Sequence, residues 1–168
     1  MKRVPSAVIL LASLSMSAYA GPGDDKAHAA DRVEIQHLVE HFKRAIVAKQ
    51  GDALQAMFLP GASWFQGTAP TSLAAIRAKQ PEAKAVAPGS YAQFARFVSS
   101  APRPIEETFD NVRIDTDGIV GTVSFDYRFL VDGKATNHGM ETWQVVRTAE
   151  GWKISAMLYS VTLDDING

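Results

Sequence analysis

Between Ile105 and Leu163 the chain alternates long apolar-rich runs with pairs of turn residues, and that pattern dictates a meander of antiparallel strands. Asp117-Gly118, Asp132-Gly133 and Glu150-Gly151 mark the corners, so strands are predicted over 105–115, 119–132, 135–148 and 152–163. In the second run Ile119, Val123, Phe125, Tyr127, Phe129 and Val131 share one side, while Thr122, Ser124, Asp126 and Arg128 share the other. A period of two with one apolar side requires that side to be buried. The third run is apolar on both sides, with Trp143 and Val145 opposed to Met140 and Val146. It therefore asks for cover twice, and helices supply only one layer, so a homodimer through the other face is expected.

The helices lie ahead of the meander. Ile35, Leu38, Val39, Phe42 and Ile46 form one stripe at helical spacing over 31–49, with Glu34, His37, His41 and Arg44 opposite. Asp31, three residues before Glu34, has the position of a capping-box N-cap. Gly51-Asp52 ends this helix and opens a short one, and Pro60-Gly61 precedes a first strand over 62–68. Residues 69–89 are rich in Ala, Pro, Lys and Gln, with a helix predicted over 72–79, and read as a lid or flap over a pocket mouth. Ser90 caps a helix bearing Tyr91, Phe94, Phe97 and Val98. Together these elements predict an α+β fold: N-terminal helices packed on a strongly curved antiparallel sheet that forms a cone with an internal pocket.

Lys2 and Arg3, an apolar stretch over 4–17 and Ala18-Tyr19-Ala20 have the form of a cleavable signal peptide. The expected division is a signal peptide over 1–20, a flexible leader over 21–30, one domain over 31–163 and a tail over 164–168. The mature chain is expected in the periplasm or outside the cell, free of the membrane after cleavage. The sequence has 17 Lys and Arg against 18 Asp and Glu, and cleavage removes two of the basic residues. A slightly acidic chain offers nothing to nucleic acid. Cysteine is absent, which excludes disulfides, thiolate nucleophiles and zinc-thiolate sites. No nucleophile elbow, phosphate loop or dinucleotide fingerprint occurs, so no cofactor is expected. His37 and His41 are four apart on the first helix, yet no third ligand is evident, and they read as surface residues.

The helix ending at Ala48-Lys49-Gln50-Gly51-Asp52, the following Met57-Phe58, and the close on Gly151-Trp152-Lys153-Ile154 resemble the nuclear transport factor 2-like, or SnoaL-like, superfamily over about residues 31–163. The resemblance implies the cone fold. It leaves the activity open, because such folds host isomerases, cyclases, dehydratases and binding modules. The ketosteroid isomerases of the superfamily use an Asp base with a Tyr and a protonated Asp in the oxyanion hole. By that resemblance Arg44 stands where the tyrosine would be and Gln66 where the basic aspartate would be, and only the second acid persists, as Glu141.

The candidate site centres on Glu141, which shares strand parity with Trp143 and Val145. Two readings stay open. Inside an apolar cone its carboxyl would be a neutral donor or an acid/base, with Tyr127 or His138 as catalytic companion. On the other face it would form an interfacial ion pair with a cation such as Arg128, the commoner role for a strand carboxylate. His138 has opposite parity and joins Glu141 only if a bulge at Gly139 realigns the strand. Trp64, Tyr91, Phe94, Tyr127, Glu141, Trp143 and Tyr159 are the expected contacts for a small apolar or aromatic ligand. Three functions follow: a small-molecule-binding domain, a cofactor-free isomerase, dehydratase or cyclase, or a domain that docks a protein on its sheet face.

Overall fold

The computed structural model describes residues 27–164. The expected signal peptide, all but the end of the leader and most of the tail lie outside the described residues. Helix α1 spans Ala29–Val47, beginning before the expected 31. Its N-cap is His28 in the left-handed region, without a side-chain cap bond. Asp31 is thus inside the first turn, where it accepts a hydrogen bond from His28 Nδ1 at 3.0 Å and pairs with Arg147 from the sheet. The capping-box reading is corrected because the chain enters the helix one turn earlier.

The stripe read from the sequence is the buried one: Ile35, Val39, Phe42 and Ile46 are at most 1% exposed. Helix α2, Gly51–Gln55, turns directly onto α4, Tyr91–Ser100. A Cβ at Gly51 would lie 2.3 Å from the Ala95 carbonyl oxygen, so only glycine permits this crossing. Ser90 caps α4 as expected, its hydroxyl accepting from the Gln93 amide.

Strand β1 is Phe58–Thr68, β2 Val86–Pro88, β3 Ile105–Thr116, β4 Val120–Val131, β5 Lys134–Thr148 and β6 Gly151–Leu163. They form one sheet in the order β2-β1-β6-β5-β4-β3. The meander β3 to β6 is antiparallel as expected, and β1 adds to β6 in parallel. Asp132 and Gly133 both have positive φ, the backbone of the two-residue hairpin that Asp-Gly favours. Ile119 departs from the expected buried face and is 68% exposed. It sits in the turn before β4, where Asp117 Oδ1 accepts its amide, so strand alternation does not apply to it.

Helix α3, Pro70–Arg77, and β2 make up the 69–89 excursion. They are tied to the end of the sheet: Ser72 Oγ accepts from Leu163 N, and β2 pairs with Phe65, Gln66 and Gly67. None of these residues lines the internal cavity, which corrects the lid reading. The segment extends the sheet edge instead. No helix among the described residues is long and apolar enough to cross a membrane.

Candidate functional site: an acidic, aromatic cavity

The concave side of the sheet and helices α1 and α4 enclose a cavity of about 230 Å³. Strand parity decides what enters it. On β3, Ile105, Glu107 and Phe109 alternate with outward Glu106 and Asp110, so Glu107 points inward between two apolar neighbours. Tyr127 and Phe129 project from β4, Asn137 and Glu141 from β5, and Met157 and Tyr159 from β6. Phe42 of α1, Trp64 of β1, and Phe94 and Phe97 of α4 complete the wall. Phe97 is 45% exposed and marks the opening.

Glu141 is 3% exposed and Glu107 6% exposed. Trp143, its neighbour on the same side of β5, donates its indole Nε1 proton to Glu141 Oε1 at 2.5 Å. Burial pushes the Glu141 carboxyl up to about 8, against the lowering effect of that hydrogen bond. Burial also drives Glu107 well above the usual carboxylate range, and the charge on Glu141 adds to it. Among the described residues no hydrogen bond or ion pair reaches the Glu107 carboxyl. The two acids thus face one cavity, from strands on either side of β4, without a basic residue in its lining.

The hydroxyls are engaged internally. Tyr127 Oη lies 2.9 Å from Ser160 O and 3.1 Å from Asn137 Oδ1, both acceptors for its proton. Tyr159 donates to Gln66 Oε1 at 3.0 Å and accepts from Trp64 Nε1 at 3.4 Å. Both tyrosines are held above their ordinary pKa, first by burial, with the nearby carboxylates adding to it. Gly139 makes the Tyr127 contact possible: a Cβ there would stand 2.0 Å from Ser160 O.

Of the residues singled out from the sequence, Trp64, Phe94, Tyr127, Glu141 and Tyr159 are brought together on the cavity. Trp143 lies a layer deeper, 4.9 Å from the Phe42 ring, and reaches the cavity only through its bond to Glu141. Tyr91 is turned away, stacked on Phe58 at 4.9 Å. The ion pair of Glu141 with Arg128 is overturned, since Arg128 points outward and pairs with Asp110 at 3.1 Å. His138 is also outside, bonded to Asp164 at 2.7 Å. The register of β5 against both neighbours is the same on either side of Gly139, so no bulge realigns His138 and its catalytic reading is withdrawn. His37 and His41 are exposed on α1, Arg44 is exposed, and Gln66 holds Tyr159 beside the cavity. Glu107, Asn137 and Met157 are lining residues that sequence reasoning passed over.

A helical layer laid across one side of a curved, unclosed sheet is the architecture of the cone-shaped nuclear transport factor 2-like class. The SnoaL-like domain model matches residues 27–157, and the chain belongs to that family. No curated protein sequence matches it. Among solved structures it is similar to a candidate scytalone dehydratase from Novosphingobium aromaticivorans, with a TM-score of 0.61 and 14% identity over 83% of this chain and 89% of that one. An NTF2-like protein with a cystatin-like fold from the same organism gives 0.57 and 16%, over 81% and 83%. A candidate dehydratase of the NTF2-like family from Streptomyces avermitilis gives 0.57 and 17%, over 80% and 97%. At such identities the likeness carries the fold alone.

Proposed function

We propose that the chain is a small-molecule-binding domain whose cone takes up a compact, mainly apolar ring compound and directs its polar group at Glu107 and Glu141. The observation that carries this reading is the cavity itself: aromatic rings on most sides and two buried carboxyls within. Burying ionisable groups costs stability, and strongly perturbed carboxyls in a cleft mark a candidate ligand site. The test is mass spectrometry of molecules released from gently purified protein, followed by rebinding of what is found. A compact ring compound that rebinds to the wild type and is lost on Trp64→Ala supports the reading. A protein that carries and rebinds nothing counts against it.

A second reading is favoured by the Glu141 carboxyl alone. An acid pushed up to about 8 exchanges its proton near neutrality, which suits a cofactor-free isomerase, dehydratase or cyclase acting on a carbonyl compound. Tyr127 would then position Glu141's substrate rather than donate, because its own proton is engaged. Deuterium uptake next to the carbonyl of bound ring ketones, abolished by Glu141→Gln, would establish it.

Export and pairing complete the proposal. The Lys2-Arg3, apolar and Ala-x-Ala succession supports delivery across a membrane with cleavage before Gly21. N-terminal sequencing of the secreted form checks this, and a chain that still began at Met1 would oppose it. The sheet face away from the helices, bearing exposed Met140 and Leu158, supports a homodimer.

A further inference from the structure

We propose that the polar group this cavity is built to take is a cation, a protonated amine carried on a small ring. The inference rests on the binding reading above and adds the chemistry of the ligand. It follows from an accounting of donors and acceptors. The Tyr127 proton is spent on Ser160 and Asn137, the Tyr159 proton on Gln66, and the Trp64 and Trp143 indoles on Tyr159 and Glu141. The Asn137 amide donates to Thr136 Oγ1, leaving one N–H as the free protein donor of the lining apart from any proton on the acids. In their ionised form the acids leave unspent acceptors: both oxygens of Glu107 and the second oxygen of Glu141. A molecule that completes this set must bring donors, and an ammonium brings three.

Charge and shape agree with the accounting. The lining has two carboxyls and no base, so once they ionise a cation meets attraction and an anion meets repulsion. The rings of Phe42, Trp64, Phe94, Tyr127 and Tyr159 line the cavity, and a desolvated cation is favoured wherever it meets an aromatic face. A cavity near 150 Å³ holds benzene, so about 230 Å³ takes roughly nine non-hydrogen atoms. That is one ring with a two-carbon amine arm.

Proton linkage gives the signature. The groups facing the ammonium are Glu107 on β3, Glu141 on β5, Tyr127 on β4 and Tyr159 on β6, and helices α1 and α4 add only phenylalanines. Burial favours the protonated form of both acids, with Glu141 pushed up to about 8, so an amine displaces a proton as it binds. Its affinity therefore rises with pH until both carboxyls ionise. A neutral ligand that accepts a hydrogen bond from a protonated carboxyl behaves in the opposite way.

The probes are 2-phenylethylamine and 2-phenylethanol, equal in size and differing in charge, with phenylacetate as the anion, titrated calorimetrically into the full chain. The expected result is an amine preference over the alcohol of about tenfold or more at about pH 8.5, smaller at about pH 6, with proton release revealed by buffers of different ionisation enthalpy. Glu107→Gln should lower the amine's affinity while leaving the alcohol's, which shows the pocket still formed; should that variant not fold, the wild-type pH dependence and proton release decide. Equal or tighter binding of the alcohol across this range overturns the cation proposal and leaves the binding reading standing. Failure of all three probes overturns the cation proposal, and only an empty result in the ligand-release experiment brings down the binding reading as well.

Discussion

Trp143 donates its indole proton to Glu141 at 2.5 Å, two residues along one side of β5, and so a core tryptophan holds the orientation of a cavity carboxyl. The ring itself is 1% exposed and packed against Phe42 and Phe125. Packing and polarity are joined in one side chain. The rotamer of Glu141 is thereby set from behind, and its second oxygen is left to the cavity.

Trp143→Phe keeps most of the apolar volume and deletes the donor. The hydrogen bond lowers the Glu141 pKa, so its loss should raise it further, and carboxyl NMR titration should report a later transition. Stability should fall by about 2–4 kcal/mol from the lost bond and the smaller ring together.

Stability should also depend on pH with a definite sign. Glu141 and Glu107 have folded pKa values above their unfolded values, so the folded chain holds extra protons above roughly pH 4.5, for Glu141 up to about 8. Their contribution is complete below that window and is lost as pH rises through it. Asp31 is lowered by the His28 hydrogen bond and Asp117 by the Val120 and Ile119 amides, so their contribution is lost as pH falls through their folded values. Denaturant melts should therefore show greatest stability near pH 4–5 and a decline of a few kcal/mol by about pH 8.5.

Glu141→Gln tests the same window from the other side. The amide keeps the shape and the acceptor for Trp143 but cannot ionise. Thermal melts should show little change at about pH 5 and a gain of roughly 1–3 kcal/mol at about pH 8.5. Marked destabilisation at every pH would mean that the carboxyl is held by partners the amide cannot serve.

Gly139→Ala should be costly for a surface-accessible strand position. The added methyl would stand 2.0 Å from Ser160 O, the carbonyl that takes the Tyr127 proton. A loss of about 1–3 kcal/mol is expected, with broadening of the Tyr127 and Asn137 side-chain NMR signals, because β5 must move off β6 to make room.

The sheet face away from the helices offers the last prediction. Leu158 pairs with Phe65 on one side and Thr142 on the other, and Met140 lies nearby, all apolar or neutral and uncovered in a single chain. Light scattering should report twice the chain mass, and Leu158→Glu should return it to one. A wild type that stays single at micromolar concentration would remove the dimer.

How much of this was legible follows from the range of each signal. The meander, its Asp-Gly corners and the α1 stripe are local patterns, and the strand limits agree with them closely. The parallel union of β1 with β6 joins residues about a hundred positions apart and has no local mark. Strand β2 is three residues long and ends in proline, below what alternation can register. Glu107 belongs to no motif and follows another glutamate, so its residue type alone carries no mark of burial. The signal that would have found it was the alternation Ile105, Glu107, Phe109. Tyr91 and Phe94 share a helix face by spacing, yet the first turn of α4 overlies Phe58 and only the second reaches the cavity.

Strand β2 has a consequence for the chain's behaviour in a crowded compartment. An open sheet ends in two rows of free backbone groups, which other chains can extend into fibrils. Here one end is a three-residue strand closed by Pro88, which has no amide proton to give. The other end, β3, is broken between Asp110 and Arg113, where Asn111 adopts positive φ and carboxylates alternate along the outer side. Neither border is a straight template, so lateral polymerisation finds no foothold at either end of the sheet.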